Sequence, residues 1–337
     1  MKTAVVILNW NGLAMLQRFL PSVIANSPEA EVIVADNGST DASVDYLREH
    51  YPTLRLILLD KNYGFAEGYN RALAQVEADY YVLLNDDVEV TPHWITPVLS
   101  TMQDDPTIGI AQPKMLMYDQ RDTFEYAGGA GGYIDRYGYP FCRGRMFSTL
   151  EQDVHQYDTP CDIFWASGAA MFVRADVWKQ VGGLDGDFFA HMEEIDFCWR
   201  AKLQGYRAVY CPQSVVYHVG GGTLPKSSPT KTRLNFRNNN ALLYKNLPLT
   251  TRRRTLRIRA WLDMVAALKS LLTGHADECR AILAARKEYR TWKPALDRKR
   301  TTTIDKLPPC TYNRLILTDY YLQRRRTFSQ LPQQHFL

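Results

Sequence analysis

The chain has 337 residues, 46% of them hydrophobic and 12% aromatic, which marks a globular protein with a substantial core, in one large domain or one plus an appendage. Its net charge of +4 conceals two regions of opposite sign: residues 1–230 hold 17 Lys and Arg against 29 Asp and Glu, whereas residues 231–337 hold 23 against 7. An acidic front suits metal-dependent chemistry, and a basic rear suits an anionic surface such as phospholipid headgroups or nucleic acid.

The six cysteines (Cys142, Cys161, Cys198, Cys211, Cys279 and Cys310) include no C-x-x-C pair, which fits neither a disulfide framework nor a zinc cluster and implies reduced, cytoplasmic thiols. The N-terminus runs from one Lys through A-V-V-I-L straight to Asn9, without the longer apolar region and cleavage site of a signal peptide. No uninterrupted apolar stretch is long enough to span a bilayer.

In chain order, residues 4–8 (strand), 14–26 (helix), 31–35 (strand), 42–50 (helix), 54–59 (strand), 65–76 (helix) and 80–84 (strand) alternate at βα spacing. That order predicts an α/β fold with a parallel, Rossmann-like sheet over the first hundred residues or so. Ligands of such sheets bind outside the carboxyl ends of the strands. The loops there read N-W-N-G (9–12), D-N-G-S-T-D (36–41), N-Y-G-F-A-E-G-Y-N (62–70) and N-D-D (85–87). In the second of these, Ser39 or Thr40 reads as the N-cap of the following helix, and turn chemistry explains Asn37, Gly38 and Ser39 as well as a binding role does. It does not explain Asp36, an acid at a strand end.

The run Y-V-L-L-N-D-D-V-E-V (81–90) delivers Asn85, Asp86 and Asp87 to the end of an apolar strand. Adjacent carboxylates in such a place need a compensating charge, and a divalent cation carrying a diphosphate supplies it. No G-x-G-x-x-G follows the first strand and no G-x-x-x-x-G-K-[ST] occurs, so a metal rather than a glycine-rich cradle must handle the phosphate. The G-G-A-G-G of residues 128–132 follows no strand-to-helix transition and reads as a flexible loop or hairpin turn.

Further on, residues 169–173 read as a strand and Ala175–Val181 as a short helix, after which a glycine pair introduces an acidic, aromatic loop. A helix begins at Glu193 or Glu194, within which Asp196 and Arg200 stand at i, i+4 as a structural ion pair. Glu193 and Glu194 either raise one another's pKa and supply a general base, or are two solvated first-turn carboxylates. Residues 206–210 form another strand. Beyond it, His218 lies between apolar residues and the glycines 220–222, either as a hydrogen-bonded core residue or as a ligand.

As an ordered set, V-V-I-L-N-W-N-G (5–12), V-A-D-N-G-S-T-D (34–41), N-Y-G-F-A-E-G-Y-N (62–70), L-L-N-D-D-V (83–88), G-A-A-M-F-V-R (168–174), F-F-A-H-M-E-E-I-D-F-C-W-R (188–200) and Y-H (217–218) resemble the family 2 glycosyltransferases, inverting enzymes of the GT-A fold, and most closely their rhamnosyltransferase-like branch. The resemblance covers about the first 245 residues. It implies a GT-A catalytic domain over 1–245, with a nucleotide-sugar-binding half (1–110) and a half carrying the acceptor site and catalytic base (111–245), followed by a basic, helical C-terminal region over 246–337. By the same resemblance Asp36 contacts the nucleotide base, Asn9, Asn62, Gly68, Asn70 and Asn85 line the nucleotide-sugar site, and Asp86 sits near the donor ribose or sugar. Asp87, last in the position of the D-x-D motif, binds Mg²⁺ or Mn²⁺, and His218 completes the coordination. Glu194 takes the role of catalytic base, with Glu193 as the alternative, because the family commonly has Glu-Asp or Asp-Asp where this chain has two glutamates. A second departure is Asn85, which offers only a neutral oxygen at the first D-x-D position. His191 and Trp165 would line an acceptor pocket, where sugar faces stack on aromatic rings, or Trp165 is an ordinary core tryptophan.

The activity so implied is inverting transfer of L-rhamnose from dTDP-L-rhamnose, with UDP-galactofuranose and UDP-hexoses as the next donors, to a lipid-linked saccharide in cell-surface polysaccharide synthesis on the cytoplasmic face of the membrane. Two alternatives stand beside it. A nucleotidyltransferase would want a Gly/Arg/Lys-rich loop where this chain has N-W-N-G, and a non-catalytic polyanion- or lipid-binding protein would use the basic rear. There, residues 232–248 read as the exit from the catalytic fold, and T-R-R-R-T-L-R-I-R (251–259) precedes a helix over 260–272. Its Trp261, Val265, Leu268 and Leu272 share one face, which rests on anionic lipid or packs on the domain with a solvated basic side. Basic groups at 298–300 and 324–326 extend the anionic-surface reading.

Overall fold

The alternating segments fold as read. Strand β1 (Thr3–Asn9) leads to helix α1 (Leu13–Asn26), β2 (Glu31–Asp36) to α2 (Ser43–His50), β3 (Arg55–Leu58) to α3 (Gly64–Leu73), and β4 (Tyr80–Asn85) closes the run. These observations come from a computed structural model that describes residues 1–220, 228–300 and 305–337; Gly221 and Gly222 of the glycine run lie outside the described residues. The four strands pair in parallel in the order β3-β2-β1-β4. Helices cover both faces, which is why V-V-I-L and Y-V-L-L are continuous apolar runs rather than alternating ones. The chain leaves β1 toward β2 on one side and later fills β4 on the other, so the crevice above β1 is a topological switch point. Its register sets Asn9 beside Asp36 and Leu8 beside Asn85.

After β5 (Val88–Val90), α4 (Thr96–Asp104) and β6 (Ile108–Met117), the strands β7 (Gly132–Asp135), β8 (Pro140–Cys142), β9 (Arg145–Met146) and β10 (Thr149–Leu150) build a second, smaller sheet. The chain then returns through β11 (Cys161–Ile163), β12 (Ala170–Arg174), α5 (Ala175–Val181), α6 (Glu193–Leu203) and β13 (Arg207–His218). In the main sheet β12 lies antiparallel to β4, and β6, β13 and β11 follow it outward. The strand expected at 206–210 is thus the first part of a twelve-residue strand, irregular between Cys211 and Val215. Polar Gln213 and Ser214 interrupt its pattern at that irregularity. Its far end pairs antiparallel with β5, setting His218 opposite Val88.

The glycines 128–132 form a loop, as expected, but not a loose one: they are mostly buried, and Trp165 lies flat against Gly132. Behind the main sheet stand α7 (Pro229–Asn246), α8 (Leu249–Leu272) and α9 (Ala276–Lys299). The arginines 252–259 lie inside α8 rather than ahead of it, because arginine is a good helix former and nothing before Leu249 but Pro248 stops the helix. The rear is also not helical throughout. Strand β14 (Thr311–Tyr312) joins the second sheet parallel to β7, and Tyr312, Ile316, Tyr320, Phe328 and Leu331 share one core with Ile134, Phe141 and Trp165.

Helix α6 is tied to this rear by buried charge. Asp196, fully buried, accepts from Arg200 Nε at 2.7 Å, Lys245 Nζ at 2.8 Å and Asn246 Nδ2 at 2.7 Å, and Lys245 also reaches Asp185 at 2.6 Å. The Asp196–Arg200 pair is the structural one expected. Burial alone would raise the Asp196 pKa, but the Lys245 and Arg200 charges outweigh it and hold the carboxylate below its usual range. Lys245→Ala removes the cation shared by two buried carboxylates, leaving Asp196 with Arg200 and Asp185 with Lys299, and is expected to destabilise the fold by about 3 kcal/mol, read by urea unfolding.

Candidate active site

At the switch point the loops interlock. Asn9, fully buried at the end of β1, donates to Asp36 Oδ1 at 2.8 Å and to Ser39 Oγ at 3.1 Å, while the Ser39 amide donates to Asp36 Oδ2 at 2.9 Å. Asp36 is therefore locked in place, and Asn9 acts by orienting it. Neither Ser39 nor Thr40 caps α2: the Ser39 hydroxyl also accepts from the Asn11 amide at 2.9 Å, the Thr40 amide donates to Asn11 Oδ1 at 2.7 Å, and Asp41 serves the Ser43 amide. A segment that reads locally as a cap is used to bind the first loop to the second. Gly12 lies against the acids, since a Cβ there would fall 2.1 Å from Asp86 Oδ2.

Two of the other residues named for the nucleotide-sugar site, Asn62 and Asn70, also shape the backbone around it. Asn62 Oδ1 accepts from the Gly64 amide at 2.7 Å, shaping the turn into α3. Asn70 exchanges hydrogen bonds with the Leu184 backbone, at 2.9 and 3.0 Å, and Gly68 lets α3 close on Leu8 and Asn37. Asn85 is partly exposed at the end of β4.

Beside them lies a charged centre. His218 Nε2 stands 3.0 Å from Asp87 Oδ1, and His218 Nδ1 stands 3.3 Å from Glu125 Oε1, with all three side chains under 9% exposed. Burial by itself would lower the His218 pKa, yet Asp87 and then Glu125 drive it well above the ordinary value. Conversely, burial works to raise Asp87, and the His218 charge overcomes it and lowers the carboxyl. Asp86 has no such partner, and burial together with Asp87 pushes it up to about 7. Sequence reasoning missed Glu125. It lies in a loop after β6 with no motif around it, and only the long β13 brings His218 to it.

The donor set fits a hard divalent cation. Asp87 Oδ1 and His218 Nδ1 are buried without an aligned hydrogen bond, so the centre is held by charge rather than by satisfied polar geometry. The carboxylate oxygen suits Mg²⁺ or Mn²⁺, the imidazole nitrogen is a borderline donor that a transition-metal ion such as Mn²⁺ accepts more readily than Mg²⁺ does, and a carboxylate behind the second ring nitrogen is the usual support of a metal-binding histidine. A different cluster, Asp153, His155 and Asp158, already has Lys114 Nζ at 2.6 Å from Asp153 and 2.5 Å from Asp158, so an ammonium supplies its counter-charge.

The two glutamates open α6. They are not solvated: Glu193 is buried, Glu194 is partly so, and Oε2 of each is buried without a hydrogen-bond partner. Burial, then the neighbouring Glu194, raises Glu193 well above its usual value, whereas burial partly offset by backbone amides puts Glu194 at about 7. Glu194 lies against Gly168, and the next carbonyl, Ala169, accepts from the Asn85 amide at 3.0 Å. Both glutamates thus stand at the same sheet end as the aspartates.

The loop ahead of them is strained, with Phe189, His191 and Met192 all at positive φ, a conformation costing about 1 kcal/mol or more per residue. Asn238 of α7 holds it, donating to the carbonyls of Phe188, Ala190 and His191 at 2.8–2.9 Å, while the Phe65 amide takes Phe189 O at 2.7 Å over Gly64. His191 is held below its ordinary pKa, at about 4, by burial and then by Lys231. Trp165 is 5% exposed, its indole N–H donating to Tyr133 O at 2.9 Å, which is the placement of a core tryptophan.

A family model described as Glycosyl transferase family 2 matches residues 4–172. The chain belongs to that family. This family 2 glycosyltransferase is 28% identical over 220 residues to the N-acetylglucosaminyl-diphospho-decaprenol L-rhamnosyltransferase of Mycobacterium tuberculosis, a match spanning 60% of this chain and 71% of that protein. In structure it resembles the mannosyltransferase PcManGT of Pyrobaculum calidifontis, solved with GDP-Man and Mn²⁺, at a TM-score of 0.51 and 16% identity over 88% of this chain and 84% of that one. It also resembles residues 1–349 of S. aureus TarS with UDP-GlcNAc, at a TM-score of 0.53 and 15% identity over 90% and 94%. The family 2 fold is GT-A, and the enzyme transfers sugar.

Proposed function

We propose that the enzyme is an inverting, divalent-cation-dependent transferase that moves L-rhamnose from dTDP-L-rhamnose to a lipid-linked saccharide in cell-surface polysaccharide synthesis on the cytoplasmic face of a membrane. The observation that carries the chemistry is the meeting, at one end of one sheet, of the Asp87–His218 centre and a partly buried glutamate poised near neutrality. The mycobacterial relative, an L-rhamnosyltransferase acting on a decaprenol-linked sugar by its name, supports the sugar and the lipid carrier, and the mannosyltransferase with GDP-Man and Mn²⁺ supports a nucleotide-sugar donor and a divalent ion.

Asp36, fixed by Asn9 and Ser39, orients the nucleotide base in the crevice above β1 and β2. Asp87 and His218 would hold the cation, the imidazole releasing its Nε2 proton to solvent as the ion binds, with Glu125 supporting the ring from behind. Bound there, Mg²⁺ or Mn²⁺ supplies positive charge to the departing diphosphate. Glu194 takes the proton from the acceptor hydroxyl, whose oxygen attacks the face of the sugar opposite the diphosphate, so one base suffices and the anomeric centre inverts. Glu194 suits this better than Glu193 because it is the more accessible and titrates nearer neutral pH.

The test is transfer by purified protein from dTDP-L-rhamnose, UDP-galactofuranose and UDP-hexoses to lipid-linked acceptors, with Mg²⁺ or Mn²⁺ and after chelation. Product from dTDP-L-rhamnose, lost on chelation and restored by metal, is expected. Product from another donor alone would overturn the sugar, and turnover surviving chelation would overturn the cation.

A further inference from the structure

Helix α8 is packed inside out. The residues it buries are Thr255, Arg259, Asp263 and Ala267, four apart, and three of them are polar. Arg259 donates to Asp263 Oδ1 at 2.8 Å, Asn239 Oδ1 at 2.6 Å and Tyr137 O at 3.0 Å, and Asp263 Oδ2 accepts from Asn240 at 2.9 Å and Arg286 at 2.8 Å. The opposite face holds the apolar residues: Trp261 is 66% exposed, Met264 48%, Val265 45%, Leu268 55%, Leu271 53% and Leu272 77%. A helix of a globular domain ordinarily turns such a stripe inward, and a continuous exposed one marks an interaction surface.

At the helical period the exposed Arg253, Arg254 and Arg257 fall on the same outward arc, one or two turns before Trp261. The single carboxylate of α8, Asp263, is on the buried side. The outward face is therefore cationic at one end, apolar at the other and without an acid, which complements a surface with anionic headgroups above a hydrocarbon layer. Among the described residues no helix is long and apolar enough to cross a membrane, and the polar inner face of α8 stays bound to the protein, so the helix lies along the surface over its length of about 36 Å.

We propose that this outer face of α8 seats the enzyme on an anionic bilayer, with Trp261, Met264, Val265, Leu268, Leu271 and Leu272 entering the interface. Arg259 on the inner face holds Asn239, the neighbour of the Asn238 that clamps the loop before Glu194, so the seat is built on the helix pair that shapes the catalytic end. The seat deepens the lipid-linked acceptor proposed above, but the docking rests on α8 alone.

The experiment is flotation of the purified chain, without donor or metal, on vesicles of phosphatidylcholine and of phosphatidylcholine with phosphatidylglycerol in equal parts. The wild type is expected to float with the anionic vesicles. Trp261→Gln with Leu268→Gln lowers the bound-to-free ratio by about tenfold or more, Arg253, Arg254 and Arg257 all→Gln removes the preference for anionic lipid, and both retain wild-type turnover of a water-soluble acceptor. Asp87→Ala floats like the wild type, which separates this surface from the transferase chemistry. A wild type that floats with neither vesicle, or a double substitution without effect, overturns the proposal. So does a dimer in sedimentation that the double substitution disperses, because the face would then join two copies of the chain.

Discussion

Asp87→Ala is expected to lower turnover by about a thousandfold and to abolish Mn²⁺ binding measured by electron paramagnetic resonance. The effect is large because Asp87 has no substitute. Asp86 beside it makes no ion pair with His218 and stays disfavoured as an anion by its burial, and Asn85 supplies only an amide oxygen. Removing Asp87 also leaves His218 facing Glu125 alone, so the imidazole loses the carboxylate at 3.0 Å and keeps the one at 3.3 Å. Glu125→Gln should act in the same direction with less force, weakening Mn²⁺ affinity by about tenfold to a hundredfold while leaving the donor set intact. Unchanged Mn²⁺ binding in Asp87→Ala would move the ion elsewhere.

Glu194→Gln is expected to reduce turnover by about a hundredfold to ten-thousandfold with donor binding preserved. In the wild type, kcat/KM should rise with pH through about 7, since the carboxyl must lose its proton to act and its pKa is raised to that value by burial. The same shift has an opposite sign for stability. A carboxyl whose pKa is raised in the folded state favours the fold only while protonated, so its contribution is intact below about 4.5 and is lost as pH climbs through about 7. Glutamine carries no charge to bury. The variant should therefore unfold at a higher temperature than the wild type at pH 8, by an amount corresponding to up to about 3 kcal/mol, and show little difference at pH 4.5. An inactive but more stable protein excludes misfolding as the cause. Full activity in Glu194→Gln would transfer the base to Glu193.

The parallel half of the sheet was legible because β1 and β4 are continuous apolar runs between turn formers, and a run buried on both faces has few other fates, while β2 and the edge strand β3 follow at the same βα spacing. The acids were legible for the same reason, since Asp36 and the Asn85–Asp87 triplet stand where such runs stop. The long β13 was not, because Gln213 and Ser214 break its pattern at an irregularity that only pairing with β6 and β5 sustains. Glu125 followed it out of sight: what makes it part of the site is where a histidine over ninety residues later comes to rest. The direction in which α8 turns was equally hidden, because spacing reveals that a helix has two faces and tertiary ion pairs choose which is buried. Asn62 and Asn70 carry a second task that the motif does not reveal, since their amides also serve the backbone around them.

Asn238 gives the enzyme an order of assembly. Strands β1 to β4, Asp36, Asp86, Asp87 and both glutamates are all translated before residue 204, but the carbonyls of Phe188, Ala190 and His191 in the loop ahead of the glutamates are held by Asn238 of α7, and Lys245 and Asn246 of that helix complete the ion cluster beneath it. A nascent chain that has just finished the two glutamates still lacks the residue of α7 that clamps the loop ahead of them. Competence would arrive late in synthesis, when the rear helices dock, and those helices include α8, whose outer face is the proposed membrane seat.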